Sequence, residues 1–204
     1  MDAFKKLLDI VDTLLGPNGC SWDKEQTIQS IRPYLLEETH EALEAIDEDD
    51  SEKIVEELGD LFFILVFYGR LGKKSERFTL DDIINTVAEK LVRRHPHVFA
   101  DAKIANNEEL FKQWESIKQQ EKKKRKNSLE GIPITLNALS RAQKILDKMK
   151  REKVEFPERK DGDIGDALLN LVIDADEKGV DAESALRTSL KKFEHALVAS
   201  EEKK

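Results

Sequence analysis

Two predicted helices joined by an acidic turn, over residues 34–72, constrain the fold of this 204-residue chain more than any other segment. The first helix begins after Pro33, a residue suited to a first helical turn, and carries apolar residues at helical spacing until about Asp47. The acidic run that follows can turn the chain, and Asp50 or Ser51 can cap the second helix. Because that second helix becomes apolar on all sides, we expect it to be buried.

Four carboxylates on this hairpin form two pairs, each with its members three residues apart. Glu38 and Glu41 share one face of the first helix, and Glu57 and Asp60 share one face of the second. If the hairpin is antiparallel and turns near Asp49, the two pairs lie at matching heights. Converging carboxylates repel one another and are costly to desolvate unless cations neutralise them. Oxygen ligands alone indicate a hard divalent ion, Mg²⁺ or Mn²⁺, rather than zinc.

These acids have two other interpretations, a solvated helix surface and a di-iron site. Acidic helix faces are often solvated surface, but Asp60 directly precedes the apolar run LFFILVF, where a solvated face is hard to maintain. A di-iron carboxylate bundle also places acids in a helical core, and Glu37 with His40 supplies one of its Glu-x-x-His elements. The sequence contains no second Glu-x-x-His element, so a Mg²⁺ site is favoured over a di-iron site.

Four further segments accompany the acid quartet in a fixed order along about a hundred residues. They are CSWDKEQT (20–27), RPYLLEE (32–38), KLVRRHPHVF (90–99) and WESIKQQEK (114–122). Together with the quartet they resemble the MazG family of nucleoside triphosphate pyrophosphohydrolases, all-α enzymes related to dimeric dUTPases. An acid quartet alone is a weak signal, whereas five ordered blocks are a specific one. The chain departs from the family at Ser21, where Pro is usual.

The resemblance implies a fold, a reaction and a cofactor. The fold is an all-α helical bundle whose hairpin pairs with that of a second copy into four-helix bundles, and the apolar stretch LFFILVFYG independently favours a homodimer. The reaction is hydrolysis of ribo- or deoxynucleoside triphosphates at the α–β phosphate bond, giving monophosphate and pyrophosphate, as in clearance of unwanted nucleotides. The quartet would hold Mg²⁺, replaceable by Mn²⁺, and Glu37 or a quartet member would be the general base. The alternative is a non-catalytic helical module that binds nucleotides or a partner.

Cationic and aromatic residues outside the hairpin are the candidates for substrate binding. Lys90 and Arg94 lie four residues apart near the end of a predicted helix, where cations also complement the helix dipole without any ligand. The resemblance implies that both contact phosphates, a role suited to the planar fork of arginine. It also implies that Trp114 and Lys118, on a helix predicted over 108–124, lie near the substrate, although Trp114 is most simply a core residue.

The segment 20–32 is polar except for Trp22 and two isoleucines. Trp22 can pack on the core, and the resemblance implies that the segment also walls the nucleotide site, with Trp22 supplying a flat face. The sequence does not rank the four residues that offer polar contacts there, which are Asp23, Lys24, Gln26 and Arg32.

The second half of the chain, residues 126–204, resembles a degenerate repeat of a catalytic domain over 1–125. DIGDALLNLVIDA (163–175) matches EELGDLFFILVFYG of the hairpin. The stretch before it leaves no room for an acid-rich first helix, so Asp163 and Asp166 stand without a partner pair. We expect this half to be structural or regulatory, and turnover by it in isolation would contradict that.

Other helices are predicted over residues 2–15 and from about Thr79 to His95, where Pro96 ends the helix. Between the hairpin and the second of these, residues 69–77 are predicted to form a loop.

Composition restricts the class of protein further. Charged residues make up 37% of the chain and there are only five Pro, which favours a soluble, helix-rich protein. The net charge of −8 opposes binding to nucleic acid polymers, so the basic run at 122–127 is interpreted as a solvated helix end. No apolar run reaches membrane-spanning length. The single Cys20 excludes an internal disulfide and fits a reducing cytoplasm.

Overall fold

The computed structural model describes residues 2–100, 106–121, 127, 129–155, 159 and 162–201. All regular secondary structure in these ranges is helical, which confirms the all-α prediction. Within the same ranges, no helix is long and apolar enough to cross a membrane. The chain divides into two compact units, Met1–Lys118 and Gln119–Lys204, so the division falls before the predicted boundary at residue 125.

The described residues of the first unit form six helices and most of a seventh. They are α1 (Ala3–Leu15), α2 (Ser21–Glu25), α3 (Arg32–Glu48), α4 (Ser51–Lys74), α5 (Leu80–Arg94), α6 (Pro96–Phe99) and α7 (Asn107–Glu121). The predicted continuation of α7 to residue 124 and the basic run at 122–126 lie outside the described residues.

Helices α3 and α4 pack against each other as the predicted hairpin. Asp49 ends α3 in the left-handed conformation with φ of 56°, which aspartate tolerates better than most residues. Asp50 then caps α4, because its carboxylate accepts hydrogen bonds from the backbone N–H groups of Glu52 at 3.1 Å and Lys53 at 3.2 Å. The acidic turn therefore fixes the point where the chain reverses.

Helix α4 is buried most completely over its second half, where the buried residues are Ile64, Val66, Phe67, Gly69, Leu71 and Gly72. Val66, Phe67 and Leu71 are at most 2% exposed and form the core with residues of α1, the segment before α3, and α5. Before residue 66 the helix carries an apolar stripe, Val55, Leu58, Phe62 and Leu65, that is 43–74% exposed. The expectation of burial is therefore confirmed toward the end of α4 and wrong before residue 66, where the described helices of one chain leave the stripe exposed.

The predicted loop at 69–77 is also wrong over most of its length, since α4 continues to Lys74. Its glycines do not end the helix but allow close approach to the segment that follows. A Cβ at Gly69 would lie 2.6 Å from Leu80 Cβ, and one at Gly72 would overlap the ring of Phe78. Helix propensity disfavours an interior glycine by about 1 kcal/mol, and close packing against α5 outweighs that cost.

The second unit contains α8 (Ala138–Glu152), α9 (Ile164–Glu177) and α10 (Ala182–Glu201), packed around Leu146, Val172 and Ile173. A helix does precede the α9 motif, since α8 packs directly on α9, but α8 ends at Glu152 and is not the acid-rich helix that the sequence was expected to lack. Helix α8 contributes cations, however, and its Lys150 pairs with Asp176 at 2.6 Å.

In the acid pair Asp163 and Asp166 of the second unit, Asp163 has a structural role. Asp163 is the N-cap of α9 and accepts hydrogen bonds from the backbone N–H groups of Gly165 at 2.8 Å and Asp166 at 3.1 Å. It therefore lies at the end of a helix rather than within one, unlike Glu57 six residues into α4.

Candidate active site

Three acids of the predicted quartet (Glu38, Glu41, Glu57 and Asp60) converge where α3 faces α4. The carboxylate oxygens of Glu38, Glu41 and Glu57 lie within 4.8 Å of one another. Asp60 lies one turn further along α4, and its charge acts on Glu38. In an octahedral Mg²⁺ site the oxygens lie up to about 4.2 Å apart, because each Mg–O bond is about 2.1 Å. The observed cluster is thus close to the size of such a site and consists of the hard oxygen donors that Mg²⁺ prefers.

Mutual repulsion and partial burial raise the pKa values of two of these acids. The pKa of Glu38 is raised above its ordinary value, first by desolvation and then by the charges of Asp60, Glu41 and Glu57. The pKa of Glu57 is raised as well, again first by desolvation and then chiefly by Glu41. Within the described part of the chain, no Lys or Arg forms an ion pair with any member of the quartet. The cluster therefore has the uncompensated charge that a divalent cation would neutralise.

This charge has a consequence for stability that can be measured without substrate. The pKa of Glu38 is higher in the folded protein than in the unfolded chain. At pH values between these two pKa values the folded state binds more protons than the unfolded state, so the free energy of unfolding falls as the pH rises through this range. We expect Glu38→Gln to be more stable than the wild type at about pH 7 in EDTA, with the difference shrinking as the pH approaches about 4. Thermal denaturation in EDTA at several pH values measures this. Glu44→Gln, on the same helix and outside the cluster, is the control; an equal difference at every pH would contradict the expectation.

A cavity of about 260 Å³ adjoins the acids. Trp22 and Tyr34 border it with their rings nearly perpendicular, at 84°, and their centroids 5.6 Å apart. Glu38 and Asp60 line the same space, so it opens onto the quartet. The other lining residues are Asp23, Ile31, Phe63, Ile64 and Phe67.

Three predicted cations do not line this cavity. The Nζ of Lys24 donates to the Pro17 carbonyl at 3.1 Å, and the carbonyl of Lys24 accepts from Lys74 Nζ at 2.6 Å, so this residue ties the loop before α2 to the end of α4. Lys90 and Arg94 are half-buried one turn apart on α5, and neither belongs to the cavity lining or to the acid cluster.

The remaining predicted residues lie on α7 and α3. Trp114 is half-buried on α7 with Lys118 one turn later, but the side chain of Lys118 lies outside the described part of the structure. Among the described residues, no other helix packs against α7. His40, the histidine of the di-iron interpretation, is exposed on α3 and outside the acid cluster.

The sequence interpretation missed much of the cavity wall. Tyr34 lies one helical turn before Glu38, and Phe63 and Phe67 follow Asp60 by three and seven residues on α4. Helical spacing from the quartet could have identified these aromatic residues. Asp23 was one of four equivalent polar candidates, and nothing in the sequence marks it as buried.

The fold and site define an all-α protein with carboxylates clustered on a helical hairpin beside an aromatic cavity. The MazG nucleotide pyrophosphohydrolase domain matches residues 26–99 of this chain. A Thermotoga maritima protein named nucleoside triphosphate pyrophosphohydrolase/pyrophosphatase MazG is 39% identical over 213 residues, which cover 93% of this chain and 82% of that protein. The crystal structure of a MazG-related protein from Thermotoga maritima is 29% identical with a TM-score of 0.50, over 56% of this chain and 98% of that one.

A second relative is longer than this chain. The Bacillus subtilis protein described as uncharacterized protein YabN is 46% identical over 143 residues, which are 70% of this chain but only 29% of YabN. The long match to the Thermotoga maritima protein covers most of both chains, and it confirms the resemblance noted in the sequence. The chain belongs to the MazG family of nucleoside triphosphate pyrophosphohydrolases.

Proposed function

We propose that this protein is a Mg²⁺-dependent enzyme that hydrolyses ribo- or deoxynucleoside triphosphates between the α and β phosphates, giving a monophosphate and pyrophosphate. The observation that carries the proposal is the convergence of Glu38, Glu41 and Glu57 next to a cavity, with no described Lys or Arg in an ion pair with them. A site of concentrated negative charge can receive an anionic substrate only together with cations. The single Cys20 fits a cytoplasmic location, where these substrates are found.

The quartet supplies the ligands in this proposal, with Mn²⁺ able to replace Mg²⁺. When bound, the metal would neutralise charge on the triphosphate and polarise the attacking water. The water adds to the α phosphorus as the bond to pyrophosphate breaks, and a carboxylate accepts the released proton. Glu37 and the quartet members are the candidates for that base, because a carboxylate close to a metal-bound water is suitably placed to accept its proton.

Cations elsewhere in the first unit complete the proposed site. Lys90, Arg94 and Lys118 would bind the phosphates, because a chain of net charge −8 needs locally concentrated positive charge to attract a triphosphate. Trp22 would contact the nucleoside part, and Trp114 would lie close to it. Lys24 would act through the loop that it holds, since its ammonium group is already bonded to Pro17.

A product assay tests the proposed reaction. Purified protein is incubated with ribo- and deoxynucleoside triphosphates, with and without Mg²⁺, and the phosphorus products are identified by ³¹P NMR. We expect monophosphate and pyrophosphate in equal amounts, only with the metal. Release of orthophosphate would mean that another bond is cleaved. Mg²⁺-dependent nucleotide binding without turnover would instead indicate the non-catalytic module.

The enzyme is also proposed to be a homodimer. The apolar stripe on α4 has alternating spacings of three and four residues, the pattern of a helix that packs along another helix in a four-helix bundle. Exposed apolar residues on α5, among them Ile84, Val87 and Leu91, extend the surface available to a second copy. A second copy would supply the burial of α4 that the sequence predicts and one chain does not provide.

Leu65→Glu is expected to convert this dimer to a monomer. Leu65 is 43% exposed in the stripe, and a charge buried there without a partner would weaken association at least about 100-fold. Sedimentation velocity at micromolar concentration measures the change. Leu197→Glu, on α10 of the second unit and 50% exposed, is the matched control and should remain dimeric. A wild-type protein that sediments as a monomer would refute the dimer.

A further inference from the structure

A buried acid without a partner lies beside the quartet. Asp23 on α2 is only 8% exposed, whereas its neighbours Trp22 and Glu25 are exposed. Among the described residues, its carboxylate forms no ion pair and accepts no hydrogen bond, and only its backbone carbonyl is bonded, to Gln26 N–H. A buried carboxylate that lacks hydrogen bonds is costly. Since Asp23 lines the cavity, a ligand bound there can donate hydrogen bonds to its carboxylate.

The shape and lining of the cavity suit a flat heteroaromatic ring. Its volume of about 260 Å³ is close to the lower end of small-ligand pockets, about 300 Å³. Trp22 and Tyr34 provide an aromatic corner, and buried Ile31 and Phe67 provide apolar surface. Glu38 and Asp60 line the same space, so a nucleotide with its phosphates at the quartet would have its base within reach of this cavity.

We propose that this cavity binds the nucleobase and that Asp23 selects guanine over the other bases. The inference rests on the proposed function, because it takes the ligand to be a nucleotide. A carboxylate has two acceptor oxygens and no donor. Guanine presents two adjacent donors, its ring N1–H and its 2-amino group, which can bond both oxygens of Asp23 in the paired geometry that makes such contacts strong.

The other bases match a carboxylate less well. Adenine and cytosine each offer one amino group beside an acceptor nitrogen, so one oxygen of Asp23 would face a lone pair. Thymine and uracil offer one N–H between two carbonyl oxygens, which repel a carboxylate on both sides. The predicted order of preference is therefore guanine first, adenine and cytosine next, and thymine or uracil last.

The test compares kcat/KM for dGTP and dTTP at saturating Mg²⁺ in wild type and Asp23→Asn. We expect the wild type to prefer dGTP by about 10- to 100-fold, since a site built around hydrogen bonds to a charged group rejects a base that cannot make them. An amide presents one donor and one acceptor, so Asp23→Asn should lose most of the activity on dGTP and keep that on dTTP within about twofold. Glu25→Gln, an exposed acid on the same helix, should behave as wild type.

Several outcomes would overturn the assignment. Equal losses on both substrates in Asp23→Asn would mean that the residue supports the fold or the phosphate end, and a wild type that prefers dTTP would also exclude it. Thermal denaturation checks folding, and removal of an unpaired buried charge should leave the melting temperature unchanged or higher. If Asp23→Asn does not fold, Asp23→Ser replaces it in the same comparison.

Binding of dGMP and dTMP by calorimetry separates this inference from the proposed function. Preferential binding of dGMP that is lost in Asp23→Asn would support the base site even if no triphosphate is hydrolysed. Hydrolysis with no preference among bases, in turn, would leave the proposed reaction intact and refute the role of Asp23.

Discussion

Glu41→Gln is expected to lower kcat for nucleoside triphosphate hydrolysis by about 10³-fold or more. The substitution keeps the shape of the side chain but replaces an anionic oxygen of the cluster with a neutral amide. A metal ion contributes several kcal/mol of charge stabilisation in phosphoryl chemistry, and each 1.36 kcal/mol corresponds to about tenfold in rate. Pyrophosphate release at saturating nucleotide and a range of Mg²⁺ concentrations measures the effect.

The matched control is Glu44→Gln. Glu44 is exposed on α3 one turn beyond Glu41 and lies outside the acid cluster, so its loss should change kcat by less than about twofold. A similar fall in kcat in both variants would mean that activity depends on the overall negative charge of α3 and not on a defined set of metal ligands. A fall of less than about tenfold in Glu41→Gln alone would remove Glu41 from the reaction centre.

Loss of activity in Glu41→Gln should not come from unfolding. The charge of Glu41 raises the pKa of both Glu38 and Glu57, so its removal relieves repulsion in the metal-free protein. The variant should therefore melt no lower than wild type in EDTA at about pH 7. Instead it should lose the increase in melting temperature that Mg²⁺ gives to wild type, because a ligand stabilises only the state that binds it.

The same variant also tests the second unit. Asp163 and Asp166 stand where the α9 motif aligns with the second acid pair of the quartet, and Asp163 is committed to capping α9. If the first unit holds the whole reaction centre, Glu41→Gln leaves no Mg²⁺-dependent turnover above about a thousandth of wild type. Higher residual turnover that survives further purification would indicate a second centre.

Local signals were sufficient to predict the hairpin. The capping acid Asp50, the helical spacing of apolar residues and the repeat of acids every three residues are all properties of short segments. An antiparallel hairpin with a turn of fixed position then brings Glu38, Glu41 and Glu57 together without further information. Membership of the family followed from the order of five such segments.

Features that depend on distant contacts could not be predicted in the same way. Gly69 and Gly72 indicate a loop by local preference, but their contacts with Leu80 and Phe78 keep them helical. Asp23 is likewise indistinguishable from its polar neighbours in the sequence, because its burial depends on how α2 packs. Exposure of the α4 stripe reflects the number of helices that one chain can place around it.

Phe67→Ala is expected to lower the free energy of unfolding by about 3–5 kcal/mol, the usual cost of removing a buried aromatic ring. Phe67 is 1% exposed, packs against the Phe63 ring at 5.5 Å and belongs to the core of the first unit. Urea unfolding followed by circular dichroism, at one fixed protein concentration, measures the difference. Phe99→Ala, at a position 60% exposed on α6, is the control and should cost less than about 0.5 kcal/mol.

Phe67 also lines the cavity, so its ring contributes both to the stability of the first unit and to the candidate site. Phe67→Leu keeps most of the volume and should cost less than about 1.5 kcal/mol, which leaves enough folded protein for kinetics. In that variant we expect KM for nucleoside triphosphates to rise while kcat stays within about twofold, because the ring touches the cavity but not the quartet. Equal unfolding free energies for wild type and Phe67→Ala would mean that α4 does not pack as described. A fall in kcat without a change in KM would place Phe67 at the reaction centre instead of the nucleobase cavity.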